Sequence, residues 1–314
     1  MRVLVTGGAG FIGANLCRTL TTRPEVESLT VLDDLSSGDP ANLADVGADL
    51  VIGSILDRDL LAELVPRATH VMHLAARPSV PRSVKDPLAS HAVNATGTLH
   101  VLEACRATRP HVTLASSSSV YGDCAEPFKH EDLPARPLSP YGASKLATEA
   151  YALAYAASYG LPVLPFRFFN VYGPLQPAGH AYAAVIPAFV SAALAGRPVP
   201  IHGDGRQARD FTYVGSVADV LADAAAREVT SATPVNLAFG TRVSLLDLKD
   251  ALAAVLGRPV EAEFLPPRAG DIRESQASAR LLLDRFPGVL PVPLEEGLRL
   301  TVTWFEKTSG GADA

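Results

Sequence analysis

Arg2-Val3-Leu4-Val5-Thr6-Gly7-Gly8-Ala9-Gly10-Phe11-Ile12-Gly13 decides the fold of this chain. Residues 2–6 read as a short buried strand, and Ile12, Leu16 and Leu20 then mark the apolar stripe of a helix. Gly7, Gly10 and Gly13 keep a GxxGxxG spacing, a variant of the dinucleotide fingerprint. Its three glycines give a tight turn, close backbone approach to a pyrophosphate, and close packing of helix on strand. The phosphates would lie on the N–H groups at the helix N-terminus, beside Phe11 and Ile12. A glycine pattern alone is weak, because any sharp strand-to-helix turn uses one, so the flanking sequence has to decide.

Residues 29–32 form a second strand ending in Asp33, which lies 33 − 13 = 20 positions past Gly13, where a ribose-binding acid belongs. An acid there accepts from both ribose hydroxyls and repels a 2′-phosphate, so NAD is expected rather than NADP. Asp34, Ser36, Ser37 and Gly38 continue as a polar turn against the adenosine. A third strand at residues 49–53 leads into Ser54 and Ile55, which would flank the adenine. A fourth at 70–74 ends in Leu74, followed by Ala75 and Ala76, small enough for the cofactor backbone to pass. Asn94 opens a polar notch, residues 94–98, that faces this passage; a helix–sheet packing contact explains Asn94 nearly as well. A fifth strand, 111–115, runs through Ala115 into Ser116-Ser117-Ser118-Ser119. Such a cluster is usually a polar loop, but open α/β sheets place ligand chemistry at the carboxyl ends of their strands. A sixth strand, 161–168, ends in Phe168 on the cofactor side. Strands alternating with helices make this an α/β chain with a doubly wound parallel sheet.

Ser139-Pro140-Tyr141-Gly142-Ala143-Ser144-Lys145 starts a helix: serine suits the N-cap and proline the first helical position. Ala143, Leu146, Ala147, Ala150, Leu153 and Ala154 recur at helical spacing, and Tyr141 and Lys145 share one face, one turn apart. A phenol titrates near pH 10, and an adjacent ammonium is expected to lower that value and make the phenol a general base for an alcohol. The plain alternative is a solvated i,i+4 pair. Against it, the chain has five lysines to 22 arginines, and Lys145 follows a helix start rather than lying in a charged face.

A loop over 123–138 precedes that helix. After residue 169 the composition shifts to Asn170-Val171-Tyr172-Gly173-Pro174 and a Pro/Gly/Gln run, then a helix at about 184–195, a strand at 199–202 and the turn 203–206. Residues 209–226 open Arg-Asp-Phe-Thr-Tyr-Val and continue as a helix. Strands at 235–238 and 261–265 bracket a helix at 245–256, and two helices close the chain. The expected organisation is an NAD-binding domain over 1–169, with 209–240 partly returning to it. A smaller α/β substrate domain spans 170–208 and 241–307, and a frayed tail follows from 308.

The 314 residues carry a net charge of −6, which disfavours nucleic acid or an anionic membrane as partner. Three cysteines without a CxxC pair argue against a disulfide framework or a metal site, so no metal is expected. No apolar run is long enough to cross a membrane and no signal-peptide pattern opens the chain; a cytoplasmic enzyme is the simplest assignment.

TGGAGFIG, HLAA, SSSSVYG, SPYGASK, RFFNVYGP, RDFTYV, RAGDIRES and LEEGL occur in one order over nearly the whole length. With them the chain resembles the extended short-chain dehydrogenase/reductases, and among these the nucleotide-sugar 4-epimerases of the UDP-galactose 4-epimerase type. The resemblance implies Ser117, Tyr141 and Lys145 as the catalytic group, with Lys145 also on the nicotinamide ribose and Ser118 beside the sugar. It implies hydride transfer from sugar C4 to tightly held NAD, rotation of the 4-keto sugar, and hydride return. It places Arg209 and Arg268 on the diphosphate and Asn170 on phosphate or sugar. Val185, Pro200, His202 and Phe211 fall at the nucleoside and Asp271 at its ribose, and the family pattern makes the chain a homodimer. For Arg209 the plain alternative is a surface ion pair with Asp210.

Ser118 and Ser119 stand where sugar 4,6-dehydratases carry an Asp-Glu pair, and the glutamate of the decarboxylases is missing too, which disfavours both reactions. Ser275 stands where epimerases restricted to smaller hexoses have a bulky Tyr, so N-acetylhexosamines or hexuronates fit. Arg77 or Arg82 could meet a C6 carboxylate, although solvated loop arginines explain both better. The sugar, and UDP versus dTDP, stay open. A nucleotide-sugar dehydrogenase or reductase with net redox change, and a non-catalytic NAD sensor, are the competing readings.

Overall fold

The computed structural model describes residues 1–178, 184–267 and 274–309. Seven parallel strands make the main sheet: β1 (Arg2–Thr6), β2 (Ser28–Asp33), β3 (Asp49–Ile52), β4 (His70–His73), β5 (His111–Ser117), β6 (Val163–Phe168) and β7 (Val235–Leu237). They lie in the order β7-β6-β5-β4-β1-β2-β3. β1 pairs with β2 on one side and β4 on the other, so the order reverses there and a crevice opens at the carboxyl ends of those strands.

The alternation within β1 shows why the sheet is covered on both faces. Val3 and Val5 pack into one core with Leu16, Leu20, Val31, Phe166, Val217 and Leu221. Leu4 points into the other, with Leu32, Leu61, Val71, Val101, Leu114 and Ala152. Strands buried on both faces read as continuous apolar runs, which is how β1, β4 and β5 read. On the first face α1 (Phe11–Thr21) packs beside α3 (Val214–Ala226). On the second lies α2 (Pro140–Tyr159), capped by Ser139, whose hydroxyl accepts from Gly142 N at 3.1 Å, and ended by Gly160 at φ 67°. A further core gathers Phe189, Ile201, Leu248, Leu252 and Leu298 from the second half. No helix among the described residues is long and apolar enough to cross a membrane.

Two local expectations need correcting, and one helix face stands out. β5 does not stop at Ala115: Ser116 and Ser117 remain in the sheet, in register with Arg167 and Phe168 of β6. The segment Arg209–Val214 is no simple helix entry; Ala208–Arg209 and Thr212–Tyr213 are short strands, and Glu274–Ala277 adds another beside Ala208–Arg209. The buried face of α2 is not the alanine/leucine stripe. Ala143, Ala150 and Ala154 are exposed, while Ser144, Lys145, Thr148, Glu149 and Ala152 face the sheet. Polar groups go inward there because the sheet and the neighbouring helices hold partners for each of them.

Candidate active site

The crevice at the β1/β4 switch is a cleft of about 900 Å³, within the usual range for cofactor sites. Gly7, Gly10, Phe11, Ile12 and Gly13 form its floor. Gly7 has φ +75°, and a Cβ there would lie 2.7 Å from Ala75 N; at Gly13 a Cβ would lie 2.1 Å from Gly7 O. Glycine is therefore required at both for turn and helix to meet. Gly10 N-caps α1 without a side-chain cap, so the first-turn N–H groups are presented to the cleft.

Asp33 lies at the end of β2 with one carboxylate oxygen accepting from Ala9 N and the other from Leu35 N, each at 2.9 Å. Burial pushes its carboxyl above the usual range, and the N–H donors of Leu35 and Ala9 pull it part of the way back. Each oxygen keeps acceptor capacity toward the cleft it lines, as a ribose diol requires. This cradle, open helix end and oriented acid fit a dinucleotide with a free 2′-hydroxyl. Asp34, Ser36, Ser37, Ile55, Leu74, Ala75, Ala76, Ala115 and Phe168 line the same cleft.

Three expected cofactor residues do not line the cleft. Asn94 is buried; its carbonyl accepts from Arg77 N at 2.7 Å and its amide donates to Arg77 O and Ser144 Oγ, so it serves as the packing contact. Gly38 closes against Asp33, where a Cβ would meet Oδ1 at 2.9 Å. Ser54 turns its hydroxyl to Leu56 N at 3.2 Å.

Ser117, the last residue of β5, and Tyr141 and Lys145 of α2 converge on the cleft. Ser117 lines the cleft with Tyr141 and donates to Ser119 Oγ at 3.1 Å. Buried Ser83 fixes the start of α2 by accepting from Tyr141 N at 3.0 Å. The lysine does not act as expected. Its Nζ donates to Ala115 O at 2.8 Å, and burial pushes its pKa down to about 8. Burial raises the Tyr141 phenol, and the nearby Ser117 hydroxyl pulls it part of the way back. A phenol this buried needs further positive charge in the loaded cleft to become a base. His73, beneath the site between Thr6 Oγ1 at 2.7 Å and Thr98 Oγ1 at 2.9 Å, is held neutral by burial with a pKa of about 3.

A second cavity of about 300 Å³ is lined by Val185, Pro200, His202, Arg209, Phe211 and Phe189, and it shares Asn170 and Val171 with the cleft. The two form one trough. Asn170 sits at φ 29° and donates from its amide to Asp210 O at 3.0 Å. Asp210 is fully buried, its carboxylate taken up by Gly240 N, Thr241 Oγ1 and Ala277 N, so it is no surface partner for Arg209. Burial pushes that carboxyl up to about 6. Arg268 and Asp271 lie outside the described residues.

Ser118 and Arg77 line the cleft, and Arg77 Nη1 is paired with Asp86 at 3.1 Å. Lys85, Asp86, Val93 and Gln176 also line it and had no signal in the sequence, because each is brought in by loop and short-helix geometry rather than by a motif.

Residues 3–238 match the model of the NAD dependent epimerase/dehydratase family. The chain belongs to that family. It is 39% identical to the UDP-glucose 4-epimerase of Mycolicibacterium smegmatis, over 98% of this chain and all of that protein. Among solved structures it is similar to the UDP-N-acetylglucosamine 4-epimerase of Methanobrevibacter ruminantium in complex with UDP-N-acetylmuramic acid. That match has 36% identity, a TM-score of 0.92 and 98% coverage of both chains. It is also similar to the Thermus thermophilus UDP-glucose 4-epimerase in complex with NAD, at 37% identity and a TM-score of 0.87, over 98% of this chain and 99% of that one. The family is NAD-dependent, and its dinucleotide fingerprint is the turn that floors the cleft.

Proposed function

We propose that the chain is a UDP-sugar C4 epimerase. The observation that carries the reading is the single trough in which Ser117, Tyr141 and Lys145 stand at one end and the Arg209/Phe211 cavity opens at the other, joined through Asn170. A nucleotide held at the far end leaves its sugar over the tyrosine, attached only through a flexible diphosphate. Tyr141 takes the 4-hydroxyl proton, relayed through Ser117, and returns it after the 4-keto sugar has turned its other face. NAD, when bound, accepts the hydride from C4 and gives it back. Gly7, Gly10, Gly13 and Asp33 would hold it, and Lys145 would reach its nicotinamide ribose.

Ser118 and Ser119 put no acid in the cleft for elimination, which supports epimerisation over dehydration. Ser275, in strand register with Arg209, is a small residue and supports room for N-acetylhexosamines and hexuronates besides plain hexoses. Half-exposed Tyr151 and Tyr159 on the outer flank of α2 support pairing of two copies along that helix, which sedimentation of the purified protein tests.

The deciding experiment incubates the protein with UDP-glucose, UDP-N-acetylglucosamine and UDP-glucuronate without added NAD, reading C4 configuration by NMR and reduced cofactor by absorbance. Interconversion without NADH release is expected. Steady NADH accumulation would make it a dehydrogenase, and inertness with bound NAD a sensor.

A further inference from the structure

A buried pair of opposite charges lies next to the catalytic group and takes no part in the chemistry above. Glu149 stands one turn beyond Lys145 on the inward face of α2, so Tyr141, Lys145 and Glu149 are spaced i, i+4, i+8 along one line. Arg167 on β6 meets the Glu149 carboxylate with two bonds, Nη2 to Oε1 at 2.7 Å and Nε to Oε2 at 3.1 Å. The two side chains are only 4% and 5% exposed. Ser116 Oγ lies 2.8 Å from Glu149 Oε2 and 3.2 Å from the Lys145 carbonyl, so its one hydrogen bridges β5 to α2 at the lysine itself. Ser116 is in register with Arg167, and Ser117 with Phe168. The charge pair therefore joins helix and strands one residue from Ser117.

The network continues outward. The Arg167 guanidinium lies 4.6 Å from the centroid of the Tyr121 ring, whose hydroxyl donates to Asn236 Oδ1 at 2.7 Å. Asn236 in turn donates from its amide to Lys129 O at 2.8 Å, and its backbone N–H donates to Glu131 at 2.8 Å. The loop after β5 is thus keyed to the same pair.

Apolar side chains of similar volume would fill this site at no loss of stability, because desolvating two ions offsets most of their attraction. What apolar packing would not supply is a fixed rotation and height of α2: a bidentate guanidinium–carboxylate fork admits one geometry, whereas a leucine slides. We propose that Glu149, Arg167 and Ser116 are positioning residues that hold α2 in the register that keeps Tyr141 beside Ser117 in the cleft. The proposal rests on the epimerase reading for its kinetic consequence but not for its geometric one.

The test compares the parent with Glu149→Leu/Arg167→Met, with Ser116→Ala, and with Glu149→Asp as the conservative variant. Three readouts are taken on each: thermal midpoint and NAD content, kcat and KM separately, and the phenol titration of Tyr141 by tyrosine ring-carbon NMR. The apolar double variant should keep the parent's midpoint and KM. Its kcat should fall about 10- to 100-fold, the scale of a misplacement near 1 Å, and the Tyr141 titration should move upward as the phenol is displaced from the Ser117 hydroxyl. Ser116→Ala should show the same pattern more weakly, and Glu149→Asp should recover part of kcat. A stable double variant with parental kcat and titration overturns the proposal, as does a parallel fall of kcat and midpoint in Ser116→Ala. If the double variant does not fold, Ser116→Ala decides alone. If the parent epimerises nothing while the titration still moves in the variants, the functional reading fails and the positioning stands.

Discussion

Gly13→Ala separates the cofactor cradle from mere tight packing. A Cβ at residue 13 would stand 2.1 Å from Gly7 O and 2.7 Å from Gly8 Cα, where ordinary contact begins at 3.4 Å. The shortfall against the carbonyl is 3.4 − 2.1 = 1.3 Å, and both neighbours are backbone in the turn, so α1 has to move away from β1 by about that much. Overpacking of this kind costs about 1–3 kcal/mol. At roughly 2 °C per kcal/mol for a chain of this size, the thermal midpoint should fall by about 2–6 °C. The same shift withdraws the first-turn N–H groups from the pyrophosphate. Losing one hydrogen bond to a charged group, worth about 1.5–3 kcal/mol, weakens NAD by roughly 10- to 100-fold.

Gly10→Ala is the control. Its Cβ would meet only Gly7 O, at 3.3 Å, so the fold should be nearly unchanged while the methyl intrudes on the phosphate path. Differential scanning fluorimetry and the NAD content of the purified proteins read the two effects. A Gly13→Ala protein with parental midpoint and full NAD content refutes the argument. One that is destabilised yet keeps its NAD would mean that the glycine serves packing alone.

Ser117→Ala should lower kcat by about 10²- to 10³-fold and move the acidic limb of the pH–rate profile, where the base loses its proton, upward, because the hydroxyl that draws the Tyr141 pKa down is gone; an unmoved limb counts against Tyr141 as the base. Lys145→Met removes a buried ammonium whose pKa is pushed from 10.5 to about 8. The folded lysine binds its proton less tightly than the unfolded one, so its favourable contribution is present above pH 10.5 and is lost as pH falls through 8. Relative to the parent, the variant should gain up to about 3 kcal/mol at pH 7, less what Ala115 O loses as its partner, and that advantage should vanish by pH 10.5. Urea unfolding at several pH values reads it, and a difference that does not vary with pH sinks it. Asp33→Ala should erase the preference for NAD over NADP in binding titrations, with NAD weakened by at least tenfold; retained discrimination would move the ribose contact elsewhere.

The cofactor half was legible because its chemistry is local. Gly7, Gly10, Gly13 and the acid 20 positions on are fixed by one turn and one strand, and a spacing rule carries that information in sequence. The trough was less so. Arg209, Phe211, Val185, Pro200 and His202 reach it from separate elements of the second half, and only the resemblance named them. Asn94 shows the limit from the other side. A polar notch in a helix can face a ligand or the fold, and its actual partners, Arg77 and Ser144, lie 17 and 50 positions away.

The inward face of α2 is what periodicity could not have supplied. Periodicity assigns the apolar stripe to the core because an unpaired polar group inside costs more than an alanine outside. That inference assumes that no partner waits within, and here each inward polar side chain has one from a distant segment. Lys145 meets Ala115 O, Thr148 meets Asn94 O and Glu149 meets Arg167. The same long-range satisfaction that hides this face from sequence gives α2 a unique setting against β5 and β6. A helix gripped only by alanines and leucines could rotate or slide, and the placement of Tyr141 beside Ser117 would then be one state among several. The polar inward face makes that placement the consequence of how α2 is seated, so the catalytic pair and the buried charges form one structural unit.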